Sequence, residues 1–225
     1  DRVYLFSGSS DRVVKTVVVD KVKDFYQAAG LPSENIKYEK NINAGHAIIV
    51  EESRVSCSDT KSPFINDCDF MQSHRILGHI YGKLNPAVDS NRLSGQIIRF
   101  DQSEFIEGKK TSMSREAYVY VPEACKKESC KVHVAIHGCK QGATEIDDTY
   151  YTKTGYNEIA DTNRIIVLYP QVEPSALIPY NPQGCWDFWG YSSADPDNPV
   201  FYTRESPQMR AIVAMLERLA EPRPQ

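Results

Sequence analysis

Strand-like and helix-like runs alternate along this chain of 225 residues. Short apolar or alternating runs predict strands at 3–6, 36–42, 96–100, 117–121, 131–136 and 164–169. Apolar residues spaced by three and four predict helices near 14–29, 70–80 and 144–160, and Ser206 followed by Pro207 marks the start of a last one. The predicted strand 164–169 is continuously apolar after Arg164, which is typical of a strand covered on both faces. The alternation predicts an α/β fold with a mostly parallel sheet and helices on both of its faces.

The composition narrows the classes of partner. The net charge is −4 and the pI is about 5.8, so no basic surface favours nucleic acid or anionic lipid. The longest apolar runs fall far short of the ~20 residues that cross a bilayer. We therefore expect no nucleic-acid partner and no membrane partner. The length suits one large domain, predicted over 1–225, and the polar, turn-forming stretch 84–94 is the best linker candidate.

The six cysteines, an even number, suggest a disulfide framework. Proximity in polar, turn-rich stretches pairs Cys57 with Cys68 and Cys125 with Cys130, and elimination leaves Cys139 with Cys185. No CxxC motif or neighbouring histidine gives the spacing of a zinc site, so we expect no metal. The alternative is six free thiols in a cytosolic enzyme, but pairing in an oxidising compartment is the simpler interpretation.

Two loops that follow predicted strands carry residues suited to acid–base chemistry. Asp11 follows strand 3–6, and His46 follows strand 36–42 in a Gly-His pair. In an α/β-hydrolase the orienting acid precedes the general base in this order, each behind its own strand. Asp11 could instead be an ordinary turn or cap residue. The order and the placement together favour a triad acid and base, which would activate a serine hydroxyl.

A third loop has the sequence His137-Gly138-Cys139 after strand 131–136. It resembles the loops whose backbone N–H groups face a developing oxyanion. We expect His137 to position this loop rather than to transfer protons. The histidines at positions 74 and 79 are predicted to be surface or rim residues of a helix, and the one at 133 to be packed or solvated within its strand.

These motifs together resemble the short-chain polyhydroxybutyrate depolymerases, and the likeness extends over nearly the whole chain. The segments that carry it are VYLFSG at 3–8 with Asp11, AGHA at 44–47, NDCD at 66–69, VYVP at 119–122, HGCKQG at 137–142, DTNR at 161–164, LYPQ at 168–171 and NPQGCWD at 181–187.

The chain is most similar to members with a circularly permuted α/β-hydrolase fold. This resemblance implies a secreted or periplasmic serine esterase that cuts 3-hydroxybutyrate polyester or its oligomers without a cofactor. It also implies that Asp11 is the triad acid, His46 the base and the Cys139 N–H an oxyanion donor.

The sequence departs from this family at the nucleophile. No G-x-S-x-G elbow is present, and the nearest string, at 190–194, lacks the second glycine and follows no strand. In a permuted enzyme the elbow precedes the acid. We therefore expect the chain to be incomplete at its N-terminus, with the serine on an upstream segment that acts as a partner. Two alternatives remain open: a binding or inactive module without a nucleophile, and an esterase for another substrate such as feruloyl or acetyl-xylan esters.

An aromatic cluster begins within the last motif and consists of Trp186, Phe188, Trp189 and Tyr191. We predict that Trp186 and Trp189 bind substrate as an apolar wall, suited to a methyl-branched polyester. The alternative is that these rings anchor a long loop to the core.

Overall fold

The structure is a computed structural model that describes residues 1–108 and 110–222. Two compact units divide the chain: residues 1–91 with 152–163 form the first, and residues 92–151 with those from 164 onward form the second. The boundary after Asn91 falls inside the stretch 84–94. Part of that stretch is anchored, because Asn85 hydrogen-bonds with Asn163 and the Val88 N–H donates to the Glu158 carbonyl. A single domain over 1–225 stays a prediction.

The main elements follow the expected alternation. In chain order they are β1 (Val3–Phe6), α1 (Thr16–Ala28), β2 (Ile36–Glu39), β3 (Ile48–Val50), β4 (Val55–Ser56), β5 (Ile65–Asp67), α2 (Gln72–Tyr81), β6 (Gln96–Asp101), β7 (Glu116–Val121), β8 (Lys131–Val134), α3 (Ala143–Ile146), α4 (Thr149–Lys153), α5 (Tyr156–Asp161), β9 (Ile165–Tyr169) and α6 (Pro207–Ala220). Short 3₁₀ turns lie at Ser33–Asn35, Ser90–Arg92, Gln102–Phe105 and Glu123–Lys126. Within the described residues, no helix is both long and apolar enough to cross a membrane.

The first unit contains two small sheets in which all strand pairs are parallel. Strand β1 pairs with β2, and α1 connects them as parallel neighbours require. The second sheet has the order β3-β5-β4. Strand β2 ends at Glu39 rather than at residue 42, so the chain leaves the sheet earlier than predicted and gives a longer loop before His46.

Helix α1 forms where the sequence predicts it, but it buries none of its residues. Its apolar side is exposed, with 60% of Val17 and 65% of Phe25 accessible to solvent. A period of 3.6 residues therefore identifies the helix without showing what covers it. Large contiguous apolar surface is uncommon on a protein that has no partner.

The second unit is built around a four-stranded sheet of order β6-β7-β9-β8. Only β8 and β9 pair in parallel, whereas β7 runs antiparallel to both of its neighbours. Between the named strands of the described residues, four of the six pairings are parallel, so the mostly parallel character holds for these strands together but not for this sheet. Strand β9 is almost wholly buried, as its apolar sequence predicts. Ala211 and Met215 of α6 join the core.

The predicted helix at 144–160 is three short helices, α3 to α5. Asp147 and Gly155 interrupt it with φ angles of 51° and 78°. A residue with a positive φ cannot continue a right-handed helix, so the helix ends at each of these residues. The apolar spacing of the sequence continues across both breaks and does not reveal them. At the last helix Pro207 takes the first position, but the Ser206 side chain makes no capping hydrogen bond.

Three disulfides join Cys57 with Cys68, Cys125 with Cys130, and Cys139 with Cys185. This is the pairing that proximity and elimination predict, and it uses all six cysteines. The first disulfide lies in the first unit, and the other two lie in the second.

Candidate active site

Asp11 follows β1 and is held by its own turn. Its Oδ1 accepts hydrogen bonds from the Val13 and Val14 N–H groups at 2.8 and 2.9 Å. Its Oδ2 lies 2.8 Å from Nδ1 of His46. Only 10% of the Asp11 side chain is exposed. Both carboxylate oxygens therefore have hydrogen-bond partners, and the second is directed at an imidazole.

The contact with Asp11 selects the tautomer of a neutral His46 ring. A carboxylate only accepts hydrogen bonds, so such a ring donates from Nδ1 and keeps a lone pair on Nε2. The His46 N–H donates to Oγ1 of Thr60 at 2.9 Å, which fixes the backbone. The side chain is 45% exposed, and Nε2 has no hydrogen-bond partner in the part of the chain that the structure describes. A substrate or a nucleophile can therefore reach Nε2.

Two glycines allow the loops around this pair to come close. A Cβ on Gly8 would lie 2.1 Å from the carbonyl oxygen of Ala44, and a Cβ on Gly45 would lie 2.0 Å from that of Asp59. Both distances are well below a van der Waals contact, so no other residue fits without moving the backbone. The Ser10 N–H also donates to the Ala44 carbonyl at 3.0 Å. The sequence motifs SG at 7–8 and GH at 45–46 thus allow Asp11 and His46 to lie at hydrogen-bonding distance.

A buried asparagine supports the loop beneath His46. Asn66 is fully buried, and its Nδ2 donates to the carbonyls of Cys57 and Asp59 at 2.9 and 2.6 Å. The Cys57 carbonyl also accepts the Gly45 N–H, and the disulfide to Cys68 restrains the same loop. Sequence reasoning missed Asn66 as a support, because a single polar residue inside a short strand has no periodic signal. Beside this loop lies an open groove of about 450 Å³, lined by Ser10, Arg12, Val13, Ser58, Asp59 and Thr60.

The candidate oxyanion loop is fixed within the second unit. The His137 Nδ1–H donates to the Gly138 carbonyl at 2.7 Å, and Nε2 accepts the Val172 N–H at 3.2 Å. His137 is thus a buried, neutral imidazole whose two nitrogens are occupied, which agrees with a positioning role. In contrast, the Cys139 N–H has no hydrogen-bond acceptor within residues 1–108 and 110–222. It is a free donor in an otherwise restrained loop.

Burial of His137 leads to a pH-dependent stability. Desolvation lowers the pKa of His137 to about 4, while the unfolded chain keeps the ordinary value near 6.5. Between these values only the unfolded state binds the proton. We therefore expect the free energy of unfolding to fall by up to about 3 kcal/mol as the pH drops from about 6.5 to 4. Above this window His137 should contribute no pH dependence.

Urea unfolding between pH 4 and 8 measures this effect, and the variant His137→Gln should lose that part of the slope. A second variant, His79→Gln, is the control. His79 lies in the first unit, is only partly buried and contacts the Asn35 carbonyl of the same unit. An NMR titration midpoint of the His137 ring near 6.5 in the folded protein would contradict the assignment.

The remaining histidines are held by the fold. His74 Nε2 lies 3.0 Å from the Gly155 carbonyl oxygen, and burial lowers the pKa of His74. His79 bonds to the Asn35 carbonyl, so neither is the freely solvated surface residue that a helix position alone suggests. Burial lowers the pKa of His133 to about 4, in line with a packed residue.

The aromatic loop separates into a buried and an exposed part. Trp186 packs against the core of the second unit, 5.8 Å from the His137 ring by centroids, as the core-anchor alternative expects. Its Nε1–H is buried without a hydrogen-bond partner among the described residues. Trp189 and Phe188 are 44% and 69% exposed. The centroids of these two rings are 4.7 Å apart.

Asp187 organises this loop and was not singled out from the sequence. Its Oδ1 accepts the N–H groups of Trp189, Gly190 and Tyr191, and its Oδ2 accepts both the N–H and the hydroxyl of Ser192. Five hydrogen bonds on one carboxylate fold the chain tightly around it. The turn presents Trp189 on the surface. An Asp followed by Gly three residues later is a weak turn signal that could have indicated this.

Comparisons with known proteins show the family of the chain. It is 41% identical over 223 residues to a poly(3-hydroxybutyrate) depolymerase of Delftia acidovorans, covering 97% of this chain and 42% of that protein. It is 34% identical to a polyhydroxybutyrate depolymerase of Talaromyces funiculosus, covering 97% of this chain and 66% of that protein. The chain thus spans about two fifths and two thirds of these relatives. No protein-family model matches it.

Solved structures agree with the sequence relatives. A PHB depolymerase complexed with R3HB trimer, in a serine-to-alanine variant, superposes with a TM-score of 0.85 at 33% identity and covers 96% of this chain and 69% of that one. The PHB depolymerase from Penicillium funiculosum gives a TM-score of 0.84 at 33% identity, covering 95% of this chain and 69% of that one. The fold is α/β-hydrolase-like, and the chain belongs to the polyhydroxybutyrate depolymerase family.

Proposed function

We propose that this chain is the part of a serine esterase that carries the acid and the base, and that the enzyme cuts 3-hydroxybutyrate polyester or its oligomers. The observation that carries the proposal is the hydrogen bond of 2.8 Å between Asp11 and His46, with Nε2 of His46 open to solvent. Membership of the depolymerase family supports the substrate class, since one structural relative was complexed with R3HB trimer.

The proposed mechanism follows from the roles of these groups. Nε2 of His46 takes the proton of a serine hydroxyl as the oxygen attacks the ester carbonyl, and Asp11 stabilises the imidazolium that forms. The Cys139 N–H donates to the oxyanion of the tetrahedral intermediate. The imidazolium then protonates the leaving alkoxide, which gives an acyl-enzyme and an alcohol. In the second half, His46 activates water, which releases the acid and restores the serine.

The serine itself is assigned to a segment outside residues 1–225, placed before Asp11 in a permuted fold. The chain has no G-x-S-x-G string, which supports this assignment. The exposed apolar side of α1, including Val17 and Phe25, supports it as well, because a further segment of the same protein would cover it. The relative with bound trimer was complexed as a serine-to-alanine variant, as expected if a serine is the nucleophile.

The aromatic loop is assigned to substrate contact. Trp186 supports this loop from the core side, where its Nε1–H is buried without a hydrogen-bond partner among the described residues. Trp189 and Phe188 offer an exposed apolar surface for a polymer that has few groups to hydrogen-bond. The three disulfides and the absence of free cysteines support a location outside the cytoplasm, secreted or periplasmic.

The test is hydrolysis of a 3-hydroxybutyrate polyester film by the protein with its nucleophile segment, beside a soluble p-nitrophenyl ester. We expect soluble 3-hydroxybutyrate oligomers as products, and the variant Trp189→Ala should lower the ratio of film to soluble-ester activity at least fivefold. Loss of an exposed indole removes apolar contact area with the film. Tyr202→Ala, which also removes an exposed ring, is the matched control.

Two results would reject these assignments. An unchanged film-to-soluble ratio in folded Trp189→Ala would remove Trp189 from substrate contact. Preferred turnover of feruloyl or acetyl-xylan esters, with no product from the film, would replace the polyester by another ester substrate.

A further inference from the structure

Asn181 is a fully buried asparagine that binds both backbone groups of one cysteine. Its Oδ1 accepts the Cys185 N–H at 2.9 Å, and its Nδ2 donates to the Cys185 carbonyl at 2.9 Å. A primary amide can do this because it carries an acceptor and a donor side by side. The backbone of Asn181 is itself fixed by a pair of 2.8 Å hydrogen bonds with Ser175. Cys185 is therefore held on both sides by a rigid support.

Cys185 passes this restraint to the candidate oxyanion loop through a covalent bond. Its sulfur is bonded to that of Cys139, and the two Cα atoms are 4.2 Å apart. The neighbouring Lys140 N–H donates to the Gln183 carbonyl at 2.7 Å, which ties the same two loops together. The position of the Cys185 backbone therefore fixes the direction of the Cys139 N–H.

Tyr191 adds a second contact to the same point. Its hydroxyl donates to the Cys185 carbonyl at 2.7 Å and accepts a hydrogen bond from Gln208 at 2.8 Å. The carbonyl of Cys185 therefore has two donors, whereas its N–H depends on Asn181 alone. Within the described residues, Asn181 is the side chain that binds both groups.

We propose that Asn181 is a positioning residue for ester hydrolysis, which fixes the Cys139 N–H as oxyanion donor through Cys185 and the Cys139–Cys185 disulfide. This proposal rests on the proposed function, because it takes Cys139 as the oxyanion donor. It adds a residue that touches neither the substrate nor the acid–base pair. Its effect on catalysis should require the disulfide.

The first experiment uses residues 1–225 alone and measures ¹⁵N relaxation of the Cys139 amide. In Asn181→Asp the donor to the Cys185 carbonyl becomes an acceptor, so the clamp is broken at nearly constant volume. We expect increased motion of the Cys139 amide. The control is Gln102→Glu, another fully buried amide of this unit, whose Nε2 donates to the carbonyls of Ser114 and Gln171. An unchanged Cys139 amide in Asn181→Asp would overturn the proposal.

The second experiment is a double-mutant cycle on kcat in the protein with its nucleophile segment. Asn181→Asp should lower kcat about tenfold or more with KM within about twofold, since a displaced donor weakens only the transition state. In a background with both Cys139→Ser and Cys185→Ser, which keeps the N–H of residue 139 but cuts the link, the same substitution should change kcat less than about twofold. Equal effects in both backgrounds would mean a general structural role and would overturn the inference.

The outcomes separate this inference from the function on which it rests. If the double serine background retains full kcat, the disulfide does not position the Cys139 N–H, and the role of Asn181 fails while the proposed function stands. If the unsubstituted protein with its nucleophile segment hydrolyses no ester, the proposed function itself fails. If the double serine background has a lower kcat but Asn181→Asp lowers kcat by the same factor in both backgrounds, only the role of Asn181 fails. Should Asn181→Asp not fold, Tyr191→Phe removes one donor to the Cys185 carbonyl and should give the same dependence on the disulfide with a smaller amplitude.

Discussion

Replacement of His46 by alanine is expected to lower kcat by on the order of 10⁴ to 10⁶ in the protein with its nucleophile segment. Without Nε2 of His46, no group is positioned to take the proton of the serine hydroxyl or to return it to the leaving alkoxide. The Asp11 carboxylate would remain, but with nothing to orient. Substrate binding does not depend on this proton transfer, so KM should change far less than kcat.

Burst and steady-state hydrolysis of p-nitrophenyl butyrate measure this effect. His79→Ala is the matched control, because that imidazole belongs to the same unit but bonds to the Asn35 carbonyl and should leave turnover within about twofold. Asp11→Asn should also be severe, on the order of 10⁴, since an amide cannot stabilise the imidazolium as a carboxylate does. More than a few per cent of activity in folded His46→Ala would reject the base assignment.

The contact between Asp11 and His46 could be predicted because it depends on two neighbouring strands, whereas their roles as acid and base stay a prediction. Asp11 lies in the turn after β1, and His46 lies in the loop after β2. These two strands pair in parallel, and parallel strands bring their carboxyl ends to one edge of a sheet. Glycines at positions 8 and 45 then permit the close approach of the two loops. The disulfide pairing could also be predicted, because Cys57 and Cys68 are near each other in sequence and closing a short loop costs little entropy.

Features that depend on contacts distant in sequence could not be predicted. The spacing of Val14, Val18 and Val22 identified α1 but not the exposure of its apolar side. The break at Asp147 needed a left-handed backbone that the apolar spacing does not reveal.

Polar supports were missed for a related reason. Asn66 in β5, and Asn181 and Asp187 in loops, each bind several backbone groups, but a single polar residue gives no periodic pattern. Their role depends on which main-chain groups the fold leaves without partners, and this is known only once the chain is folded.

Residues 1–225 alone are expected to resist labelling by a fluorophosphonate and to hydrolyse p-nitrophenyl butyrate no faster than background. These probes need a serine whose hydroxyl is activated by Nε2 of His46 and exposed on a sharp turn. Two hydroxyls of the surrounding loops have other hydrogen-bond partners: Ser10 donates to Asn43 Oδ1, and Thr60 accepts the His46 N–H. An oxyanion donor without a covalent nucleophile contributes only a small fraction of the rate.

Addition of the segment that carries the elbow, in the same chain or as a separate polypeptide, should produce both labelling and turnover. The same segment added to His46→Ala should give neither above a few per cent, which links the gain to the base. Because α1 would be covered, amide exchange of the residues around Val17 and Phe25 should slow at the same time. Labelling of a serine within residues 1–225 before the segment is added would place the nucleophile inside this chain and refute the permuted arrangement. If the segment covers α1 but restores no turnover, while the chain alone adsorbs to polyester film, a binding module of the same fold becomes the better assignment.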